Sequence, residues 1–453
     1  AWCLPDYFAG IGIRYLSMGI NKTRSILPFD QPTAFWWEAP SGRRVLAFRA
    51  DHYHLGNFWG IHTGEARRFG SELSKYLCSL EDRQYPWDRI GVQFSGYHTD
   101  NSPPSTVACD LVRRWNEQHV WPRLRLSVAR EFLEYVEREH GPQLAVHRQA
   151  WPDWWTDGFG SAARETAASR ETHATVRVSE ALLAMAAMAG RPIPEEIRQR
   201  VSAVQESLMF YDEHTFGAAE SISDPLAENT QVQWNEKSAY VWSAVKEAHL
   251  LEENAFGLLR AHLPRAEVPG VVVVNTLNWP RSGVAEVFVD HQILNPDREF
   301  RIVDAARGEV VPAQMLSRRS EGSYWALWVK DVPPMGYRFL RVEAGDAPRA
   351  AEAKATESAT IENAHYALAL DANRGGIARL VDKATGEDLV DGGAPWALGA
   401  LVYERLTEGR DFVADRFRRE AWREVRVEPG VDGPLWRSVV LKGRLDGCAE
   451  KEG

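Results

Sequence analysis

The feature that most constrains the fold is a change in hydrophobic pattern at two points along the 453-residue chain. Up to about residue 146, short apolar stretches alternate with amphipathic helical ones, and from 148 to 264 long helical tracts follow. From residue 268 onward, short strands separated by turn residues take over. A chain of this length and pattern is too long to fold around a single hydrophobic core. The sequence therefore predicts a multidomain protein with α/β, all-α and all-β regions.

The first region combines strand and helix patterns. Residues 43–50 and 89–97 have the pattern of buried strands, and residues 65–83 and 104–118 have that of amphipathic helices. Strands that alternate with helices indicate an α/β layer or barrel with a parallel sheet. In such sheets the chemistry lies on loops at the carboxyl ends of the strands.

The second region predicts three helices, over residues 161–189, 195–211 and 232–262, with few breakers inside them. Three antiparallel helices are the economical arrangement, which gives a three-helix bundle. The predicted domain boundaries are therefore 1–147, 148–264 and 265–453.

The last region predicts an antiparallel β-sandwich, because its strands are short and turn residues separate them closely. Residues 346–358 are polar and rich in alanine, which favours an exposed connector. Residues 437–445 have a strand pattern near the end of the sequence with no obvious partner. We therefore expect a sandwich that is truncated.

Composition argues against two classes of partner. The formal net charge is -10 and the sequence pI is about 5.8, so no basic stripe is available for a phosphate backbone. There is also no polybasic anchor, and no run of about eighteen apolar residues that could span a bilayer. Nucleic acid and membrane are therefore not expected as partners.

The four cysteines, Cys3, Cys78, Cys109 and Cys448, lie far apart and form no metal-ligand spacing. A reducing, cytoplasmic compartment fits this usage best. Residues 1–9 lack both a starting methionine and a signal pattern, so we expect the start of the gene product to be absent.

Asp100 follows the predicted strand 89–97 and precedes a helix led by Pro104. A carboxylate at the end of a strand can have its pKa raised by partial desolvation and act as a general acid or base. The alternative is structural, because an aspartate here can also cap the helix or stabilise the turn.

Residues 151–160 hold three tryptophans, two aspartates and two glycines. Aromatic rings beside carboxylates suit a sugar, whose CH face packs on a ring while its hydroxyls donate to oxygens. The alternative is a seam between domains, where the rings are buried. The two interpretations do not exclude each other.

Histidines supply the third group of candidates. His214 follows a predicted helix and stands beside Asp212 and Glu213, although a lone histidine is more often structural than metal-bound. His52 and His54 follow the strand 43–50, and they would share one face if that strand continued.

Several segments resemble glycoside hydrolase family 38, the α-mannosidases and their relatives. Residues 271–287, "VVVVNTLNWPRSGVAEV", are similar to the family's opening sandwich strand, and residues 361–391 resemble its "ENxxYxLxLDxxxGxIxxLxDKxTGxxLVD" stretch. Residues 34–50 and 87–118 are similar to its barrel segments. The family order of barrel, helical bundle and sandwich covers nearly the whole chain.

The resemblance implies roles for individual residues. Asp100 matches the family's acid/base position, and His214 matches a zinc-binding histidine. Contacts with the sugar are implied for Asp153, Trp154, Trp155, Tyr53 and His54. Thr215 departs from the pattern, since many members have an aspartate there that holds a sugar hydroxyl, and this puts the choice of sugar in doubt.

The resemblance also implies parts that this sequence does not match. The family's His-x-Asp metal pair and its nucleophilic aspartate find no counterpart, so the remaining zinc ligands are expected upstream of residue 1. His98 and Asp100 form the His-x-Asp pair of this sequence, a rival metal pair at the acid/base loop. Residues 1–147 are too few for an eight-stranded barrel, which takes about 250. We expect a partial (β/α) barrel that is inactive alone.

The function implied is that of an α-mannosidase-like, zinc-dependent, retaining glycoside hydrolase acting on α-linked sugars, with an oligosaccharide or glycoside as substrate. The main alternative is a non-catalytic carbohydrate-binding protein, and another is a glycosidase with a different sugar preference. A homo-oligomer stays open.

Overall fold

The structure is a computed structural model, and it describes residues 1–20, 28–97, 101–151, 157–214, 220–221, 224–263, 265–293, 295, 300–344, 354–356, 359–406 and 417–445. The chain divides into two compact units, Ala1–Ser161 and Ala162–Gly453. Helices and several small, mostly antiparallel sheets make up these units, so the predicted multidomain α/β character is confirmed. The three predicted domain boundaries stay predictions.

The first unit contains a four-stranded sheet in the order β1-β3-β2-β4. Its strands are β1 (Tyr15–Met18), β2 (Thr33–Glu38), β3 (Arg44–Arg49) and β4 (Val146–His147). β1 is parallel to β3 and β4 is parallel to β2, but β2 and β3 are antiparallel. A tight turn causes this, because the Gly42 N–H donates to the Ala39 carbonyl and folds β3 back on β2. The expected parallel sheet is therefore only partly correct.

Helices cover this sheet and form a second small core. They are α1 (Leu4–Gly10), α2 (Leu55–Phe58), α3 (Ala66–Asp82), α4 (Val107–Gln118), α5 (Ala129–His140) and α6 (Asp157–Ser161). α3 and α4 confirm the two predicted helices. Leu133 of α5 packs on Leu46 and Phe48 of β3, whereas Phe69 of α3 packs with Trp115 of α4. β3 is thus the buried centre of the first unit.

The predicted strand over residues 89–97 is wrong, since none of these residues forms a strand. Their backbone groups bond to the α2 turn instead of to a neighbouring strand. The Gln93 carbonyl accepts from the Gly56 N–H at 3.0 Å, and the Ser95 N–H donates to the Asn57 side chain at 2.9 Å. Apolar residues alone cannot tell a strand from an extended segment whose hydrogen bonds go elsewhere.

Three long helices begin the second unit: α7 (Ala163–Met188), α8 (Glu195–Asp212) and α9 (Glu228–Arg260). Each contains most of its predicted span. Near one end, Leu182 of α7 packs with Ile197 at the start of α8 and Leu251 toward the end of α9. α8 therefore runs antiparallel to the other two helices. Pro194 stands directly before α8 and separates it from α7.

Six strands follow and form two antiparallel sheets, β5-β10-β7 and β6-β9-β8. They are β5 (Gly270–Asn275), β6 (Arg281–Asp290), β7 (Phe300–Asp304), β8 (Ala313–Arg318), β9 (Gly322–Val332) and β10 (Gly336–Ala344). Ile302 and Leu340 from one sheet pack with Trp325 and Leu327 from the other. In β6 exposed and half-buried residues alternate, as expected for a strand with one face against the core.

The last described strands form three further antiparallel sheets, β12-β13-β14, β11-β17-β18 and β15-β16. They are β11 (Lys354–Thr356), β12 (Thr360–Glu362), β13 (Tyr366–Asp371), β14 (Gly376–Asp382), β15 (Val402–Leu406), β16 (Phe417–Ala421), β17 (Arg423–Asp432) and β18 (Arg437–Arg444). Two expectations are wrong here. β11 lies inside the predicted connector and pairs with β17, and β18 is not unpaired because it also pairs with β17.

The cysteines and the helices bear on the two expectations from composition. Cys3, Cys78 and Cys109 are free and exposed, whereas Cys448 lies outside the described residues. No helix in the described ranges has the length and apolar character needed to cross a membrane.

Two adjacent leucines test the packing of the three long helices. Leu251 is fully buried and Leu250 is 38% exposed, although both lie on α9. We expect Leu251→Ala to lower the free energy of unfolding by about 2–5 kcal/mol, because the cavity cannot close fully. Leu250→Ala should change it by about 0.5 kcal/mol or less. Urea unfolding followed by circular dichroism measures both, and equal losses would contradict the helix register.

Candidate active site

A buried ion pair fixes the carboxyl end of β3. Arg49 Nη1 lies 2.7 Å from Asp51 Oδ1, and the two side chains are 1% and 5% exposed. The Arg49 guanidinium also donates to the carbonyls of Pro28 and Phe29, and the Tyr76 hydroxyl donates to Asp51 Oδ2 at 2.8 Å. Buried charges are tolerated when they are paired and hydrogen-bonded in this way. The pair holds the turn that follows β3 in one position.

Burial raises the pKa of the Tyr76 phenol well above its usual range, and the charge and hydrogen bond of Asp51 raise it further. A phenolate beside a buried carboxylate would be strongly disfavoured, since both groups would be negative. Tyr76 therefore acts as a hydrogen-bond donor to Asp51.

Tyr53 and His54 lie in the turn between β3 and α2, beside His52 and Phe58. The rings of His52 and His54 are 4.1 Å apart, those of Tyr53 and His54 are 4.7 Å apart, and Phe58 lies 4.7 Å from His54. β3 ends at Arg49, so the strand alternation considered for His52 and His54 does not apply. Instead, the four rings form one aromatic cluster (His52, Tyr53, His54 and Phe58).

His54 contributes an unsatisfied polar atom to this aromatic cluster. Its backbone N–H donates to His52 Nδ1 at 3.1 Å, but its own Nδ1 is buried and has no hydrogen-bond partner within the described ranges. Buried polar atoms are almost always partnered, so such an atom calls for a ligand or water. Tyr53 and His54 themselves are half-buried.

The segment before Asp100 packs directly against the turn that carries the aromatic cluster. A side chain on Gly19, just after β1, would overlap the backbone of Tyr53 and the amide of Gln93, so glycine permits a close approach of these segments. Gln93 Nε2 donates to Ser17 Oγ at 2.9 Å. The ends of β1 and β3 and the segment around Gln93 thus meet at one edge of the sheet.

Asp100 lies outside the described residues, but residues on both sides of it are placed. A side chain on Gly96 would overlap the Pro103 carbonyl, so the chain leaves and returns at nearly the same point. Asn57 of α2 accepts from the Ser95 N–H and so ties this point to the turn of the aromatic cluster. Sequence reasoning identified neither Asn57 nor the Arg49–Asp51 pair.

Asp153, Trp154 and Trp155 also lie outside the described residues, whereas Trp151 is placed. Its ring lies 5.0 Å from that of Phe35 and 5.5 Å from that of Phe29, and it packs onto the core around Trp37. Trp151 is therefore half-buried against an aromatic core, and its Nε1 has no hydrogen-bond partner among the described residues.

His214 lies in the second unit, directly after α8, and its side chain is exposed. Its φ is 27°, a left-handed value that residues with side chains rarely adopt. Thr215 lies outside the described residues.

The described residues do not fit a metal ion by themselves, because no three or more His, Cys, Asp or Glu side chains in the described part of the chain are grouped as ligands. Zinc sites in proteins need three or four such ligands. His214 is therefore not part of a metal centre among the described residues.

Tyr76→Phe tests the network behind the aromatic cluster. We expect the free energy of unfolding to fall by about 1–3 kcal/mol, because a buried carboxylate loses a donor. Because the folded-state pKa of Tyr76 is raised, its contribution is fully present below the unfolded pKa of about 10 and is lost as the pH rises further. The wild type should therefore lose stability more steeply than Tyr76→Phe above that pH. Chemical unfolding at neutral and alkaline pH measures this, with the exposed Tyr7→Phe as control.

Comparisons with known proteins find one family-model match and a structure of similar fold. Residues 1–156 match the model of the glycosyl hydrolases family 38 N-terminal domain. The structure is similar to the crystal structure of an alpha-mannosidase from Enterococcus faecalis V583, with a TM-score of 0.54 and 16% sequence identity. This likeness covers 94% of the present chain and 51% of that one, so the chain spans about half the length of the relative. No curated protein sequence matches.

Proposed function

Because residues 1–156 match the model of the glycosyl hydrolases family 38 N-terminal domain, we propose that the chain is part of an α-mannosidase-like glycoside hydrolase. Its substrate would be an oligosaccharide or glycoside with an α-linked sugar. The observation that carries the proposal is the aromatic cluster after β3, in which His54 Nδ1 is buried and has no partner among the described residues. Ser95, which precedes Asp100 in the chain, is hydrogen-bonded to Asn57 beside this cluster. Aromatic rings with a few unsatisfied polar atoms are what a sugar site needs.

The proposal includes the finer architecture expected from the family. The first unit would be part of a (β/α) barrel, and β1 and β3, which are parallel neighbours, would be two of its strands. The three long helices would be the family's bundle, and the antiparallel sheets that follow would be its sandwich. In (β/α) barrels the active site lies at the carboxyl ends of the strands. The aromatic cluster follows the carboxyl end of β3.

In this proposal Asp100 is the acid/base residue of a retaining mechanism. It would first donate its proton to the leaving oxygen and then take a proton from the water that attacks the glycosyl-enzyme intermediate. The nucleophile would be a second carboxylate about 5 Å away. Because Gly96 and Pro103 close the Asp100 loop beside Asn57, this loop begins and ends next to the aromatic cluster.

The sugar would lie against the aromatic cluster. Tyr53 could contact a ring face or donate from its hydroxyl, and His54 Nδ1 could exchange a hydrogen bond with a sugar hydroxyl. Asp153, Trp154 and Trp155 are proposed as further contacts on the basis of the family resemblance. A neutral imidazole both donates and accepts, which suits a hydroxyl partner.

His214 is proposed as a zinc ligand, again from the resemblance. When bound, zinc would hold vicinal hydroxyls of the sugar. A cytoplasmic location and a homo-oligomer also stay proposals.

The 453-residue chain alone is expected to be inactive and to bind zinc only weakly, because no segment of it matches the family's nucleophile or its other zinc ligands. Assay with an aryl α-mannoside and equilibrium dialysis with zinc measure these two properties. Turnover, or tight stoichiometric zinc, would contradict the expectation. Sugar binding without turnover in any longer form of the protein would favour the carbohydrate-binding alternative.

Asp100→Asn tests the acid/base assignment in an enzyme that contains this chain. Glycosides with poor leaving groups should slow by about 100-fold or more, because they depend on protonation. Activated aryl glycosides should slow less in the glycosylation step, since their leaving groups need no proton. Steady-state kinetics with both substrate types measures the difference.

Asn101→Asp is a suitable control for that experiment, because it alters charge at the next position without removing the Asp100 carboxylate. If Asp100→Asn slows both substrate types equally, Asp100 is not the general acid.

A further inference from the structure

The C-terminal end of α8, directly before His214, is held by side chains from both neighbouring helices. The Tyr211 hydroxyl lies 2.9 Å from Thr166 Oγ1 of α7, and Asp212 accepts from Ser169 Oγ at 3.1 Å. His173 Nε2 lies 2.7 Å from the other oxygen of Asp212. Helix ends usually fray, because the last four carbonyls lack partners within the helix. Here, in contrast, side chains of a neighbouring helix bind Tyr211 and Asp212 individually.

Lys237 of α9 makes the most unusual of these contacts. Its ammonium donates to the carbonyls of Phe210 and Glu213, at 2.6 and 2.9 Å, and to the Glu213 carboxylate at 3.0 Å. An ammonium has three donors, so all of them are used. The Lys237 side chain is only 12% exposed, and burying an ammonium is costly unless hydrogen-bond acceptors replace the water that it loses.

These contacts act on the backbone that carries His214. A cation at the last carbonyls of a helix satisfies acceptors that the helix itself leaves open and interacts favourably with the helix dipole. The φ of His214 is 27°, and such backbone values persist only where the surrounding structure imposes them. The Glu213 carbonyl, which Lys237 binds, belongs to the peptide group that joins Glu213 to His214.

We propose that Lys237 is a positioning residue that fixes the end of α8 and thereby sets the backbone of His214. This inference adds a residue to the proposed function and rests on the role given there to His214. Lys237 itself touches neither substrate nor metal in this account.

Amide hydrogen exchange of the 453-residue chain tests the structural part. Lys237→Met keeps most of the apolar stem and removes the ammonium, so exchange over residues 210–214 should rise about tenfold or more. Residues 198–206 of α8 should not change. Lys246→Met is the matched control, because Lys246 lies on the same helix but is 73% exposed and pairs with its neighbour Glu247 at 3.4 Å.

Unchanged exchange over residues 210–214 would overturn the proposal, as would an equal rise along the whole of α8, which would indicate lost stability only. If Lys237→Met does not fold, Lys237→Gln gives the same test, since its neutral amide cannot bond all three acceptors. An intermediate rise over residues 210–214 is then expected, and no rise overturns the proposal.

A double-mutant cycle in the enzyme that contains this chain separates positioning from general support. If Lys237 acts through His214, turnover lost in Lys237→Met and in His214→Ala should not add in the double variant. Additive losses would contradict the inference. Full turnover in His214→Ala would instead remove His214 from the proposed function, and the exchange experiment would still decide whether Lys237 holds this backbone.

Discussion

The first unit depends on one buried contact, the ion pair between Arg49 and Asp51 at the end of β3. The strand itself is buried on both faces, and the charges sit where the chain must turn out of the sheet. Two charges out of water are costly unless each is fully partnered, and here Tyr76 and two backbone carbonyls complete the set. Breaking one contact would leave a buried charge. The network therefore allows few positions for the turn that carries Tyr53 and His54.

The same logic applies at the end of α8 in the second unit. There a nearly buried lysine replaces water at two backbone carbonyls, and an exposed histidine with a left-handed φ follows directly. The turn with Tyr53 and His54 and the backbone of His214 thus each lie next to a buried charged group. Specific hydrogen-bond partners satisfy that group. We therefore expect both networks to fix local geometry, because removing one partner would leave a buried charge or carbonyl without its hydrogen bond.

Helix periodicity carried most of the fold information in the sequence. α7, α8 and α9 were predictable because long tracts without helix breakers form all three, and the prolines before α8 separate it from α7. Strand pairing was less predictable: residues 89–97 are apolar but bond to the α2 turn, and β18 finds its partner in β17. Alternation of apolar residues indicates which face of a strand is buried, but it does not indicate which backbone groups form hydrogen bonds with each other.

In the candidate site, sequence reasoning could identify only residues whose side-chain type by itself suggests binding or catalysis. Tyr53, His54 and His214 stand out as aromatic or titratable residues after a strand or a helix. Arg49, Asp51 and Lys237 do not, because in sequence a buried charge looks the same as an exposed one. Asn57 was missed for a similar reason, since its bond to Ser95 joins positions that sequence spacing does not connect.

The proposed function requires that a sugar binds at the carboxyl end of β3, against the aromatic cluster and within reach of Asp100. A crystal structure of the chain-containing enzyme with a mannose-configured iminosugar, which mimics the positive charge of the transition state, tests this most directly. We expect the iminosugar within hydrogen-bonding distance of His54 and the Asp100 carboxylate, with Tyr53 against the ring. A well-defined iminosugar bound elsewhere, with the aromatic cluster left empty, would contradict it.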